Sequence, residues 1–396
     1  MARSLYRPLE AGLTALKLGL TSFGGPVAHI GYFRREFVDR KGWLSNESFA
    51  ELTALCQFLP GPASSQLGIA VGIRRAGFLG GIAAWLGFTI PSALLLVLFA
   101  LSMNNNAFAD AGWLHGLKLA AVAVVAQAVW SMGRTLTPDR TRISMAALTA
   151  VIALWWPGAL GQIVPLILCG IVGAYFIQPN PIADEPHSPD TGMKSTPAVI
   201  CLLLFVVLLG ALPVLASWHP NIMVQLADIG YRAGSLVFGG GHVVLPMLHE
   251  EMVPQGIVSE QQFMAGYGAA QAVPGPLFTF SAYLGAVSAP GGEGVLRAVV
   301  MLLFIFLPSF LLVAGVLPFW SKLRGHLRTR AAVAGVNAAV VGVLLAALYT
   351  PVFTSTVEGA TDFTFVIIGF VLLSSWRCPP WLIVLLAAVC GWIVYS

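Results

Sequence analysis

Apolar runs long enough to cross a bilayer alternate along this chain with polar, helix-breaking segments. Residues 197–216 and 299–318 are uninterrupted runs, each of the roughly 20 residues that a transmembrane helix needs. The breaking segments come in two matched sets. In the first, Phe23-Gly24-Gly25-Pro26 is followed by Gly42-Trp43-Leu44-Ser45, Phe49 and Gln57-Phe58-Leu59-Pro60-Gly61-Pro62. In the second, Phe238-Gly239-Gly240-Gly241 is followed by Gly256-Ile257-Val258-Ser259, Phe263 and Gln271-Ala272-Val273-Pro274-Gly275-Pro276. Pro91-Ser92 and Pro308-Ser309 extend the match, and ionisable residues follow it too, Lys17 with Arg232 and Glu36 with Glu251. Matched Gly/Pro breaks in both halves of an apolar chain are the pattern of a secondary transporter.

This pattern predicts an all-α integral membrane protein of two inverted-topology repeats. Each repeat is expected to hold broken helices or re-entrant hairpins plus about four transmembrane spans. Residues 1–178 read as the N-terminal repeat, and 179–196 as a polar linker carrying Pro179, Pro181, Pro186 and Pro189. Residues 197–396 read as the C-terminal repeat, with one extra span at 197–217 that inverts it. Composition agrees: 57% of residues are hydrophobic and 10% charged, with a mean hydropathy of +0.83, far from the ~25% charged residues of a soluble domain. The net charge of +4 is small and its basic residues lie in loops, which gives no nucleic-acid surface. Cys56, Cys169, Cys201, Cys378 and Cys390 lack metal-ligand spacing and read as buried apolar groups. Arg3 and Arg7 before an apolar run mimic a signal peptide, but that run contains Lys17 and belongs to the repeat, so it is expected to be retained.

Basic residues mark the cytoplasmic side of membrane proteins. Arg34, Arg35, Arg40 and Lys41 precede residues 45–72, and Arg74 and Arg75 follow them. The loops 104–110 and 155–161 have no Lys or Arg, whereas 134–142 has Arg134, Arg140 and Arg142. In the second copy, 249–259 and 287–294 have none, and Lys322, Arg324, Arg328 and Arg330 come later. Both flanks of 45–72 are thus basic, and neither flank of 259–286 is. A simple span would put opposite flanks on opposite sides, so each segment is read as a hairpin with its Pro-Gly-Pro at the tip. The same count makes 10–37 and 225–248 hairpins turning at the glycine runs. Kinked full spans are the competing reading.

Backbone polar groups at bilayer depth must face protein, water or an ion. Gly24, Gly25, Gly239, Gly240 and Gly241 remove side chains where N–H groups would approach a ligand, as do Gly61 and Gly275 at the tips. Helix N-termini aimed at one midplane point make a donating, positive pocket suited to an oxyanion. Lys17 and Arg232 stand six residues before the two Phe-Gly-Gly motifs and are candidate anion ligands, with snorkelling as the alternative. His29 and His242 follow the glycine runs and either donate, titrate or serve structure. Gln57, Gln271, Ser64, Ser65, Thr279 and Ser281 flank the tips and either donate to an anion or satisfy freed carbonyls. Lys118 and Asn337 align and are weaker candidates. No metal cluster, cofactor motif or phosphate loop is present in the sequence.

At these residues the chain resembles the ChrA-type chromate ion transporters. The resemblance runs from Phe23-Gly24-Gly25-Pro26 and His29 through both Pro-Gly-Pro segments to Phe238-Gly239-Gly240-Gly241-His242. It extends to Gly335-Val336-Asn337-Ala338-Ala339-Val340-Val341-Gly342. It implies a multi-pass protein of the bacterial cytoplasmic (inner) membrane that exports chromate by using the membrane gradient. The partners expected are chromate or a similar tetrahedral oxyanion and the lipid bilayer, with a homodimer left open and no nucleic acid. Chromate and sulfate are nearly isosteric dianions, so a sulfate or other oxyanion carrier remains an alternative, as does an anion channel. A membrane-embedded enzyme lacks a nucleophile–base pair. Pro26 stands where the second copy has Gly241, so the two halves are expected to contribute unequally.

Overall fold

The computed structural model describes residues 2–103, 112–178, 195–238, 241–320, 323 and 325–395, and among them every regular element is helical. The first half holds α1 (Ala2–Thr21), α2 (Gly25–Arg34, running into a π turn to Arg40), α3 (Asn46–Phe58), α4 (Ala63–Met103), α5 (Gly112–Leu136), α6 (Arg140–Trp155) and α7 (Ala159–Phe176). After α8 (Ser195–Trp218) the second half repeats the order. It runs α9 (Ile222–Leu236), α10 (Val244–Met252), α11 (Glu260–Ala272), α12 (Phe280–Val287), α13 (Gly291–Val316), α14 (Leu327–Ala347), α15 (Ala360–Ser374) and α16 (Pro380–Val394). The loop 104–110, the linker residues 179–194, Lys322, Arg324, Gly239 and Gly240 lie outside the described residues.

The matched motifs explain where helices start. Ser45 caps α3 by accepting from the Ser48 amide. Ser259 caps α11 in a reciprocal box with Gln262, which satisfies two of the orphan donors of a helix start. Each glycine or proline break turns one helix back on its predecessor. Lys17 reaches Glu36 while Glu10 reaches Lys41, so α1 and the α2 segment are antiparallel. Tyr283 on α12 donates to the Gln262 carbonyl at the start of α11, making a second such pair. α4 itself reverses at Ala76 and Gly77 (φ 66°), so that Gly72 packs on Gly80. In the second half two separate helices, α12 and α13, pack together at the matching place in the sequence.

Five helices are long and apolar enough to cross a bilayer among the described residues: those within 63–103, 112–136, 196–218, 291–319 and 327–353. This is a multi-pass membrane protein. Four others are shorter than the full spans expected: α6, α7, α15 and α16 have 16, 18, 15 and 15 residues. At 1.5 Å per residue these reach about 22–27 Å, less than a ~30 Å hydrocarbon core. α8 is peripheral, with Ile200, Leu203, Val206 and Val207 exposed.

The halves are interlaced. α5 packs on α15 and α16, while its counterpart α14 packs on α6 and α7. Small residues permit both approaches: a Cβ on Gly116 would lie 2.0 Å from the Ala387 carbonyl, and one on Gly335 would lie 2.0 Å from that of Cys169. Gly391 and Gly173 occupy the facing positions. Close backbone contact of this kind is how helices associate where burial from water offers no drive.

Candidate functional site

The four breaks meet, and they do so by exchange between the halves. The Gly61 amide donates to the Val237 carbonyl at 2.6 Å, and the Gly275 amide donates to the Ser22 carbonyl at 2.9 Å. Each Pro-Gly-Pro tip therefore docks on the last carbonyl before the other half's Phe-Gly-Gly motif. Both tip glycines need φ above zero, +115° and +101°. A Cβ on Gly61 would lie 3.0 Å from Ser309 Oγ, and one on Gly275 would lie 2.9 Å from Ser92 Oγ. The Pro-Ser pairs noted in the sequence are thus the floors under the tips. Two further contacts close the ring. His29 Nδ1 lies 3.3 Å from Ser64 Oγ, joining the first break to the first tip. His242 Nδ1 lies 2.7 Å from Tyr267 Oη, joining the second break to the helix before the second tip.

Around this ring, side-chain polar atoms are buried without a partner. Ser22 Oγ, His29 Nε2, Ser65 Oγ and Thr89 Oγ1 lie on the first-half side; Gln271 Nε2, Ser281 Oγ and Ser309 Oγ lie on the second. All can donate a hydrogen bond, His29 through Nε2 when its Nδ1 accepts from Ser64. Gln66 Oε1 is the acceptor among them, while its Nε2 donates to the Pro60 carbonyl. Leaving a buried donor unsatisfied costs about 1–3 kcal/mol.

The sequence candidates divide accordingly. Gly24 (φ +95°) caps α2, Gly25 (φ +76°) opens it, and Pro26 lies in its first turn. Gly241 begins a short 3₁₀ turn that carries His242. The amides of Gly61 and Gly275, expected to face a ligand, are spent on carbonyls; these glycines build the crossing. Thr279 Oγ1 donates to the Pro276 carbonyl and so caps its own turn. Lys17 and Arg232, the candidate anion ligands, are both found in ion pairs. Lys17 Nζ pairs with Glu36 at 2.6 Å. Arg232 spans Glu251 at 2.6 Å and Asp228 at 2.7 Å. The pairs with Glu36 and Glu251 each join the two arms of their own hairpin, and the Lys17 side chain stays half exposed. Sequence reasoning named Ser65 and Ser281 beside the tips but missed Ser22, Thr89 and the Tyr267 hydroxyl, and used Ser92 and Ser309 only as repeat markers.

A cavity of about 460 Å³ leads toward the first tip. Glu51, Ala54, Gln57 and Phe58 of α3 line one wall, Arg330, Val333 and Asn337 of α14 the other, and the buried Trp320 also lines the cavity. Gln57 is exposed there, and Asn337 Oδ1 and Trp320 Nε1 have no partner. The corresponding place in the second half is shut. α11 packs directly on α5 and α16, so closely that a Cβ on Gly268 would lie 2.5 Å from the Leu117 carbonyl. Gln271, which matches Gln57, is partly buried there.

Known proteins place this architecture. No solved structure matches the chain. A chromate transport protein of Pseudomonas aeruginosa is 29% identical over 96% of this chain and 91% of its own length. A probable chromate transport protein of Synechococcus elongatus is 27% identical over 96% and 94%, and a chromate transport protein of Cupriavidus metallidurans is 25% identical over 96% and 91%. The profile of the family described as chromate transporter matches residues 9–174 and 224–392, one segment in each half. With nearly all of both halves accounted for, the chain belongs to the chromate transporter family.

Proposed function

We propose that this chain is a secondary transporter that exports chromate across the cytoplasmic membrane, holding the oxyanion where the four breaks meet. The observation that carries the reading is the ring of buried, partnerless donors around the exchanged tips. An oxyanion offers acceptors in every direction, and donors left open at a cost are satisfied when it arrives. The start of α2 adds the positive end of a helix dipole. In this reading Lys17 and Arg232 hold their hairpins closed and do not touch substrate. His29, Ser64, Gln57, Gln271, Gly24, Gly25, Gly241 and His242 remain at or beside the site.

The two halves act as inverted repeats around that site. Arg330 and the basic loop before it support a cytoplasmic opening for the cavity; in this reading the α3 side admits substrate while the α11 side is sealed. Exchange of those two arrangements is alternating access, the usual mechanism of inverted-repeat transporters. A channel has no need of a sealed side. Uptake of radiolabelled chromate into inverted vesicles tests the proposal. We expect gradient-dependent accumulation, with excess sulfate as the competitor that reports selectivity. Equilibration without accumulation points to a channel, and no chromate flux at all overturns the reading.

A further inference from the structure

A second cavity, of about 340 Å³, opens beside α1 and has no part in the transport site. Its wall holds Lys17, Arg40 and Lys41 with Glu10 and Glu36, and Arg75 reaches Glu10 from outside the lining. Glu36 is shared by Lys17 and Arg40, and Glu10 by Lys41 and Arg75. The lining carries one positive charge in excess, or two with Arg75 behind it, and the cations face outward: Lys17 and Arg40 side chains are 48% and 60% exposed, while Glu36 is 7% exposed. Trp43, stacked on Phe37, fixes Lys41 and Arg75 through cation–π contacts at 5.6 and 4.9 Å. The same cavity is lined by Tyr6, Leu9 and Leu13, exposed by 65%, 61% and 57%.

The matching place in the second half serves as a control within the molecule. There one cation, Arg232, faces Asp228, Glu251 and the neighbouring Glu250, and the space is about 10 Å³. Gln162 and Ile163 of α7 help to fill it. The repeat therefore conserves the ion pair but not the excess positive charge, the opening or the apolar rim.

We propose that the α1 cavity is a binding site for an anionic phospholipid. The phosphate would be held by Arg40, Lys41 and the free face of Lys17, with acyl chains lying along Leu9 and Leu13. Excess basic charge beside exposed apolar side chains between membrane helices is the chemistry that recognises such headgroups. A free anion would use the charge but not the rim.

Native mass spectrometry of the full chain in mild detergent, titrated with phosphatidylglycerol, phosphatidylcholine or inorganic phosphate, tests this. The wild-type protein should retain phosphatidylglycerol under conditions that strip phosphatidylcholine, and phosphatidylglycerol alone should raise its melting temperature. Arg40→Gln with Lys41→Gln should weaken phosphatidylglycerol retention by about tenfold or more and abolish the thermal shift. Should the double variant fail to fold, Lys41→Gln alone leaves Glu10 its Arg75 partner and should show a partial loss. Equal retention by variant and wild type overturns the site. So does equal protection by phosphatidylcholine, which needs no cation, or by inorganic phosphate, which marks a free-anion site.

Discussion

α3 and α11 carry one sequence pattern, each capped by a serine and ending in a Pro-Gly-Pro tip, yet their surroundings are opposite. α3 faces α14 across a cavity; α11 lies on α5 with backbone nearly touching backbone. The difference comes down to single positions. Gly268 has no side chain where α11 meets Leu117, and its counterpart Ala54 stands exposed in the cavity wall. One pattern thus supports both a docked and an undocked state. In the proposed mechanism, each half displays the arrangement that the other adopts when access is reversed.

The most severe way to break this comparison is to alter what both halves share. Gly275→Leu puts a side chain at φ +101° against Ser92 and the Phe88 carbonyl, and Gly61→Leu meets Ser309 and Gln66. We expect chromate uptake in vesicles to fall by about a hundredfold, equivalent to roughly 2.7 kcal/mol, with protein still in the membrane. Normal uptake by a well-expressed Gly275→Leu protein would reduce the crossing to a packing bend.

A smaller and more discriminating effect is expected at the seal. Gly268→Leu cannot dock on Leu117, so its melting temperature in detergent should drop and its uptake should fall by about tenfold, or 1.4 kcal/mol. Ala54→Leu projects into open space, so its melting temperature should match the wild type. If the two variants melt alike, the open and sealed sides are not different in the way described.

The mildest change concerns the ion pairs. Arg232→Lys keeps a charge but cannot span Asp228 and Glu251 together, which costs about 1–3 kcal/mol in charge-assisted hydrogen bonds. We expect a lower melting temperature with an apparent KM for chromate within about twofold of wild type, a change of under ~0.5 kcal/mol. A tenfold rise in KM with unchanged melting would return Arg232 to the substrate.

Much of the site was legible because Gly and Pro act locally and twice. The breaks, the serine caps, the hairpin turns and the reversal after Arg75 each follow from residues within a few positions of the event. The ion pairs were half legible. Glu36 and Glu251 each lie 19 residues beyond their cation, so equal spacing in both copies was a signal, but nothing local says that a folded hairpin brings them together. The interlacing of α5 with α15 and α16 was not legible at all. Gly116 and Ala387 meet through bare backbone, and small residues on a helix face look the same whichever neighbour they await.

That interlacing bears on how the chain is made. Synthesis proceeds from the N-terminus, so His115 on α5 leaves the ribosome 247 residues ahead of Asp362, its hydrogen-bond partner on α15. During that interval the glycine face of α5 is in the bilayer with no helix to cover it, and α6 and α7 wait in the same way for α14. The first half is therefore a provisional structure until the second is inserted. Errors in α15 and α16 would be felt first at α5, more than 200 residues earlier in the chain.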